Sequence, residues 1–179
     1  HNVGTAVAVY EAVKKSKPLV ERVVTITGKN IAKPGNYLVR IGSSILELVE
    51  AAGGLPSDIG KVVNGGPMMG KALTSLDVPV TKGTSGVILF PSSESLRGKE
   101  EAACIRCGKC VTVCAMGLEP YLLNRMARKR MFEAMEHEGA MDCIECGSCS
   151  YVCPANLPLL DYIRLGKGEV GAIIRARKN

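Results

Sequence analysis

Apolar and polar positions alternate over residues 22–27 (RVVTIT), and β-branched side chains dominate, so the pattern predicts a strand. Residues 37–41 (YLVRI) predict a second, with Gly28 and the Pro34–Gly35 pair marking turns. Ser44 and Glu47 form the capping box of a short amphipathic helix that runs through Ala52 and stops at Gly53 in a left-handed cap. Residues 61–64 are short and strand-like, and 86–90 (GVILF) predict a buried strand. A hairpin, one helix and then further strands is the element order of a β-grasp domain. Ahead of it, residues 5–15 predict one helix, with Thr5 as N-cap, Lys14, Lys15 and Lys17 at its negative end and Pro18 as its stop. Standing alone, that helix reads as the tail of a domain cut from a longer protein.

The pattern changes near residues 91–93, a polar stretch that reads as a domain boundary. Residues 95–103 predict a short charged helix. Between Cys114 and Cys143 lie 28 residues, and Leu122, Leu123, Met126, Met131, Phe132 and Met135 recur there at helical spacing. Arg125, Arg128, Lys129 and Arg130 form a basic face on this helix, a solvated surface or, alternatively, a docking face for an acidic electron carrier. Residues 157–179 predict a closing helix, broken near Gly166 and Gly168. The expected organisation is a terminal helix over 1–18, a β-grasp domain over 19–92 and a mainly α-helical domain over 93–179, an α+β chain.

The chemistry sits in the last of these. Eight cysteines stand in two runs of one spacing: Cys104, Cys107, Cys110, Cys114, and Cys143, Cys146, Cys149, Cys153 followed by Pro154. C-x2-C-x2-C-x3-C is the ligand spacing of a cubane iron–sulfur cluster, so two runs predict two [4Fe–4S] clusters. Three thiolates two residues apart let one tight loop wrap three corners of a cube. The fourth, one residue further on, is expected to start a helix pointing away and to reach the neighbouring cluster. Cys104, Cys107, Cys110 and Cys153 would hold one cluster, and Cys143, Cys146, Cys149 and Cys114 the other. Gly108 and Gly147 follow the second cysteine of each run, where glycine permits the turn. Zinc sites use paired C-x2-C half-sites, which a third cysteine in both runs fits poorly. A disulfide framework matches neither this spacing nor a chain with no visible signal peptide. Ala115 stands where the second run has its proline, but proline is not a ligand.

Composition refines this picture. Hydrophobic residues make up 46% of the 179-residue chain, yet aromatics only 4% and tryptophan is absent, so the cores are aliphatic. The formal charge of +6 overstates basicity. Each oxidised cubane with its thiolates carries about −2, which brings the loaded chain to about +2 and argues against nucleic acid as a partner. No apolar stretch approaches the roughly 18 residues of a membrane span, so a membrane link must run through a partner. Thiols kept reduced for iron imply a cytosolic or cytosol-facing location. No nucleophile–base constellation is visible around His1 or His137. The Gly65-Gly66-Pro67-Met68-Met69-Gly70 stretch reads as a tight turn whose methionines fill a core gap, with close backbone approach to a cofactor or partner as the alternative.

NVGTA near the start, PLVERVVTITG, GGPMMG, DVPV at 77–80 and CIECGSCSYVCP together resemble the C subunit of the Rnf electron transport complex across essentially the whole chain. The resemblance implies an SLBB-type β-grasp domain followed by an α-helical two-cluster ferredoxin, with the final helix of a flavin domain before them. It implies an electron relay between flavin/NADH and ferredoxin within an ion-translocating ferredoxin:NAD oxidoreductase, on the cytoplasmic face of the bacterial inner membrane. Membrane-bound subunits would be its partners. FMN and NADH would bind the flavin domain, most of which is absent here, so this stretch alone is not expected to be catalytic. A flavin-dependent cobalamin reductase of bacterial microcompartments shares these modules and is an alternative, as is a docking module with structural clusters.

Overall fold

The computed structural model describes residues 2–95 and 100–178. The chain divides into two compact units, His1–Arg97 and Gly98–Asn179, each treated by itself.

The first unit opens with α1 (Val3–Lys15), capped by the Asn2 side chain rather than by Thr5 and ended by Ser16 in a left-handed conformation. No α1 residue is buried. Five strands follow: β1 (Glu21–Gly28), β2 (Gly35–Arg40), β3 (Lys61–Asn64), β4 (Lys71–Ala72) and β5 (Gly86–Phe90), in the order β2-β1-β5-β3-β4. β1 pairs antiparallel with β2 and parallel with β5, and β3 pairs antiparallel with β5 and β4. Alternation in β1 turns Val24 and Ile26 into the core and leaves Val23 and Thr25 outside, as the period of 2 requires. Helix α2 (Ile45–Ala51) carries the expected capping box, Glu47 N donating to Ser44 Oγ and Ser44 N to Glu47 Oε2, both at 3.1 Å. It buries Ile45, Leu48 and Val49 against Val24, Ile26, Val87 and Leu89. Gly53 has φ +104°, the left-handed stop read from the sequence.

The glycine–methionine stretch is a tight turn between β3 and β4, as expected, with Gly70 N donating to Gly66 O at 2.7 Å. Its methionines do not fill a core gap: Met68 and Met69 are exposed. The glycines are there for backbone room. A Cβ on Gly70 would lie 2.6 Å from Gly66 O and 2.9 Å from Asn64 O. β4, two residues long, carries no periodicity that the sequence could have revealed.

In the second unit, residues 100–108 form no helix, and the part of the expected 95–103 helix at 96–99 lies outside the described residues. Short helices α3 (Lys109–Thr112) and α6 (Ser148–Tyr151) follow Gly108 and Gly147. The segment between the cysteine runs is two helices, α4 (Pro120–Arg128) and α5 (Phe132–His137), because Arg130 turns left-handed at φ +56°. Helix α7 (Leu159–Lys178) is continuous through Gly166 and Gly168, contrary to the expected break. Gly166 is buried where α7 meets Met135 and Ala127, and its missing side chain is what lets the helices close. Leu123, Ala127, Met135, Leu159, Ile163 and Val170 form this unit's core.

Gly70→Ala is expected to destabilise the first unit by about 1–3 kcal/mol, since the new methyl meets backbone oxygens that cannot yield. Urea unfolding of the two proteins measures it; equal midpoints would remove the steric account of this turn.

Candidate metal centre

Both cysteine runs fold into the same loop. The second residue after the first cysteine, Arg106 or Glu145, is left-handed at φ +57° in each case. The glycine after the second cysteine follows suit, Gly108 at +72° and Gly147 at +82°. Two left-handed residues coil the backbone of each loop, and in the second run they bring Cys143, Cys146 and Cys149 to the wall of one cavity. The third, Cys110 or Cys149, sits in the first turn of α3 or α6. The fourth follows that short helix and does not start one, contrary to the expectation from spacing.

The structure brings cysteines of different runs together. Cys114, Cys143, Cys146 and Cys149 line one cavity with Leu118, Leu123, Leu160 and Ile163; about 410 Å³ there is free of protein atoms, part of it open to solvent. Cys114 is close enough to Cys143 to disfavour ionisation of the Cys143 thiol, and Cys153 close enough to Cys110 to do the same there. Ala102 N donates to Ala155 O at 3.0 Å, tying the approach to the first run to the end of the second. Cys104 and Cys107 lie exposed on the first loop.

Backbone amides point at these sulfurs. Leu118 N lies 3.4 Å from Cys114 Sγ, and the Tyr121 amide is directed at Cys110. Burial pushes the Cys110 and Cys143 thiols up and the Cys149 thiol up to about 11. The Ser148 hydroxyl and amide draw Cys146 down. An apolar cavity ringed by four thiols and fringed by N–H donors fits a sulfur-rich anionic cluster: it offers soft ligands, a dry wall and donors for the remaining sulfurs.

Sequence reasoning missed the clamp on the second loop. Glu145 Oε2 accepts from Arg164 Nε at 2.9 Å, its other oxygen lies 3.3 Å from Lys167 Nζ, and Lys167 also donates to Cys143 O at 2.5 Å. Burial alone would raise the Glu145 carboxyl, but these two cations outweigh it and hold it below its usual range. The clue lay in the left-handed residue of the loop, acidic here and basic (Arg106) in the first run. The expected basic face also differs. Lys129 caps α4, Arg130 lies beyond it, and Arg128, though exposed, lies 2.7 Å from Glu101 with its guanidinium 4.0 Å from the Tyr162 ring centroid. Arg128 is engaged within the unit rather than offered to a carrier.

Residues 23–72 match the family described as SLBB domain, and residues 97–154 the family described as 4Fe-4S dicluster domain. The chain thus combines mixed α and β structure with one stretch similar to SLBB domains and a later one similar to 4Fe-4S dicluster domains. Across 169 residues it is 44% identical to the C subunit of the proton-translocating ferredoxin:NAD(+) oxidoreductase complex of Clostridium ljungdahlii, covering 94% of this chain and 37% of that protein. It is 46% identical over 170 residues to the C subunit of the ion-translocating oxidoreductase complex of Yersinia enterocolitica, covering 94% and 24%. The corresponding protein of Rhodobacter capsulatus is 42% identical over 170 residues, covering 95% and 33%. The chain is a relative of the C subunits of ion-translocating oxidoreductase complexes, spanning about a quarter to a little over a third of the length of these relatives.

The buried thiol gives a pH dependence with a defined sign. Cys149 holds its proton in the folded, iron-free chain up to about 11, against 9.0 when unfolded. Over that interval the folded state binds more protons than the unfolded one, so stability falls as pH rises. Denaturant unfolding of the iron-free protein at pH 8 and pH 10.5 is expected to show the loss, and Cys149→Ala to reduce it. A stability that rises over this interval would contradict the burial of this thiol.

Proposed function

We propose that this chain is an electron-relay part of an ion-translocating ferredoxin:NAD oxidoreductase, carrying two [4Fe–4S] clusters. Cys104, Cys107, Cys110 and Cys153 hold one, and Cys143, Cys146, Cys149 and Cys114 the other. The observation that carries this reading is the exchange of fourth cysteines, Cys114 approaching Cys143 and Cys153 approaching Cys110. When bound, such clusters supply reversible one-electron storage. The residues around them do the rest. The thiols ligate as thiolates, the Leu118 and Tyr121 amides spread the negative charge, and Leu118, Leu123, Leu160 and Ile163 exclude water from one site. Each run would lend one cysteine to the other site, which would keep the two clusters close enough to exchange single electrons. No bond making is assigned to these residues.

The name of the Clostridium ljungdahlii relative supports placing the relay between ferredoxin and NAD; the proposal adds FMN and NADH held on a flavin domain outside these two modules. The names of the relatives favour this over a cobalamin reductase or a purely docking module. We read the sheet with α2 across it as a β-grasp domain that positions the relay among the other subunits. Among the described residues no helix is long and apolar enough to cross a membrane. Part of the same proposal is that the chain is a peripheral component on the cytoplasmic face of the inner membrane, held by membrane-bound partners.

Anaerobic reconstitution is expected to give about eight irons and eight sulfides per chain, with a coupled two-cluster EPR signal on reduction. Cys153→Ser should abolish the same signal as Cys104→Ser, and Cys114→Ser the same signal as Cys143→Ser. Zinc in place of iron would refute the relay, and pairing of Cys114→Ser with Cys104→Ser would refute the crossed ligand sets.

A further inference from the structure

Among the described residues of the second unit, one buried side chain has a donor without a partner. Asn124, on α4, is only 4% exposed. Its Oδ1 accepts from Arg128 Nε at 3.1 Å, which decides the orientation of the amide, and its Nδ2 then has no partner among the described residues. A buried N–H2 left in this state is costly, and a native core rarely keeps one unless something outside the polypeptide satisfies it.

Its position indicates what that is. One turn earlier on α4, the Tyr121 amide is directed at Cys110. Side chains on a helix lean toward its N-terminus, so Asn124 leans back over that turn. The internal repeat gives an independent bearing. Cys143 matches Cys104 at an offset of 39 positions, and the same offset takes Asn124 to Ile163. Ile163 lines the cavity formed with Cys114, Cys143, Cys146 and Cys149. Asn124 therefore holds, beside the first run, the place that an aliphatic wall residue holds beside the second.

We propose that the Asn124 amide is a hydrogen-bond donor to the cluster held by Cys104, Cys107, Cys110 and Cys153, a positioning residue that raises the reduction potential of that cluster selectively. This rests on the cluster reading above. An N–H donated to a cluster sulfur stabilises the more negative, reduced form, so its loss lowers the potential. The two clusters, alike in ligands, are set apart by an amide in one wall and a methyl group in the other.

The test uses the whole chain, anaerobically reconstituted, as wild type, Asn124→Asp and Asn124→Leu. Iron and sulfide are counted first; a wild type without about eight irons defeats the cluster reading itself, before this inference is reached. Redox titration followed by EPR then compares midpoints. Asn124→Asp keeps the oxygen that receives Arg128 but adds a carboxylate charge that itself lowers a nearby potential, so the deciding variant is Asn124→Leu, which removes the donor without adding charge. The expected result is a fall in one midpoint in both variants. It corresponds to about a tenfold drop in the reduced-to-oxidised ratio at fixed potential, about 59 mV for one electron. The signal that moves should be the one Cys104→Ser removes. Two unmoved midpoints, a shift of the other cluster, or a shift in Asn124→Asp but not in Asn124→Leu would overturn the proposal. If Asn124→Leu does not fold, pulsed EPR on protein labelled with 15N-asparagine decides. A nitrogen coupling to the first-run cluster that Asn124→Asp abolishes supports the donor, and its absence from wild type refutes it.

Discussion

The close approach of α7 to α4 governs the second unit. Gly166 has no side chain where Met135 of α5 and Ala127 of α4 press against it, so α7 packs closely on both helices at that point. α4 and α7 each begin six residues after the last cysteine of a run, Pro120 after Cys114 and Leu159 after Cys153. Packing the helices side by side therefore sets the two runs beside one another. The crossed cysteine pairs and the apolar cavity follow from an interface that begins one helical turn beyond the cavity walls Leu123 and Ile163.

Most of this is legible in the sequence where chemistry imposes spacing. Cysteine intervals, Gly108 and Gly147, the Ser44–Glu47 box and the alternation in β1 each reflect a local rule, and the structure shows each element where that rule puts it. The departures are decided by tertiary contact. Gly166 and Gly168 carry poor helix propensity, but burial of Leu159, Ile163 and Val170 along one stripe holds α7 straight through them. The basic run after Asn124 reads as one face, whereas the helix ends before the left-handed Arg130, and Arg128 is engaged at the surface by Tyr162 and Glu101. Met68 and Met69 suggest a core because methionine usually fills gaps; the turn leaves them outside. The ligand sets themselves rest on the spacing and on the proximity of the crossed pairs.

The two loops are copies in backbone and opposites in charge. Glu145 is drawn onto α7 by Arg164 and Lys167, while Arg106 at the matching position is exposed. The second loop is thus pinned to the longest helix of the unit by a charge-assisted network that also holds the Cys143 carbonyl. A repeat that began symmetric has been differentiated without moving a cysteine.

The unequal burial of the thiols has a consequence for how such a protein ages. Cys104 and Cys107 meet solvent directly, whereas Cys149 is enclosed. Attack by dissolved oxygen or peroxide needs access to sulfur, so damage begins at the first run and reaches the second only later. Wear is directional, and the exposed loop is where a repair or reassembly system must be able to reach.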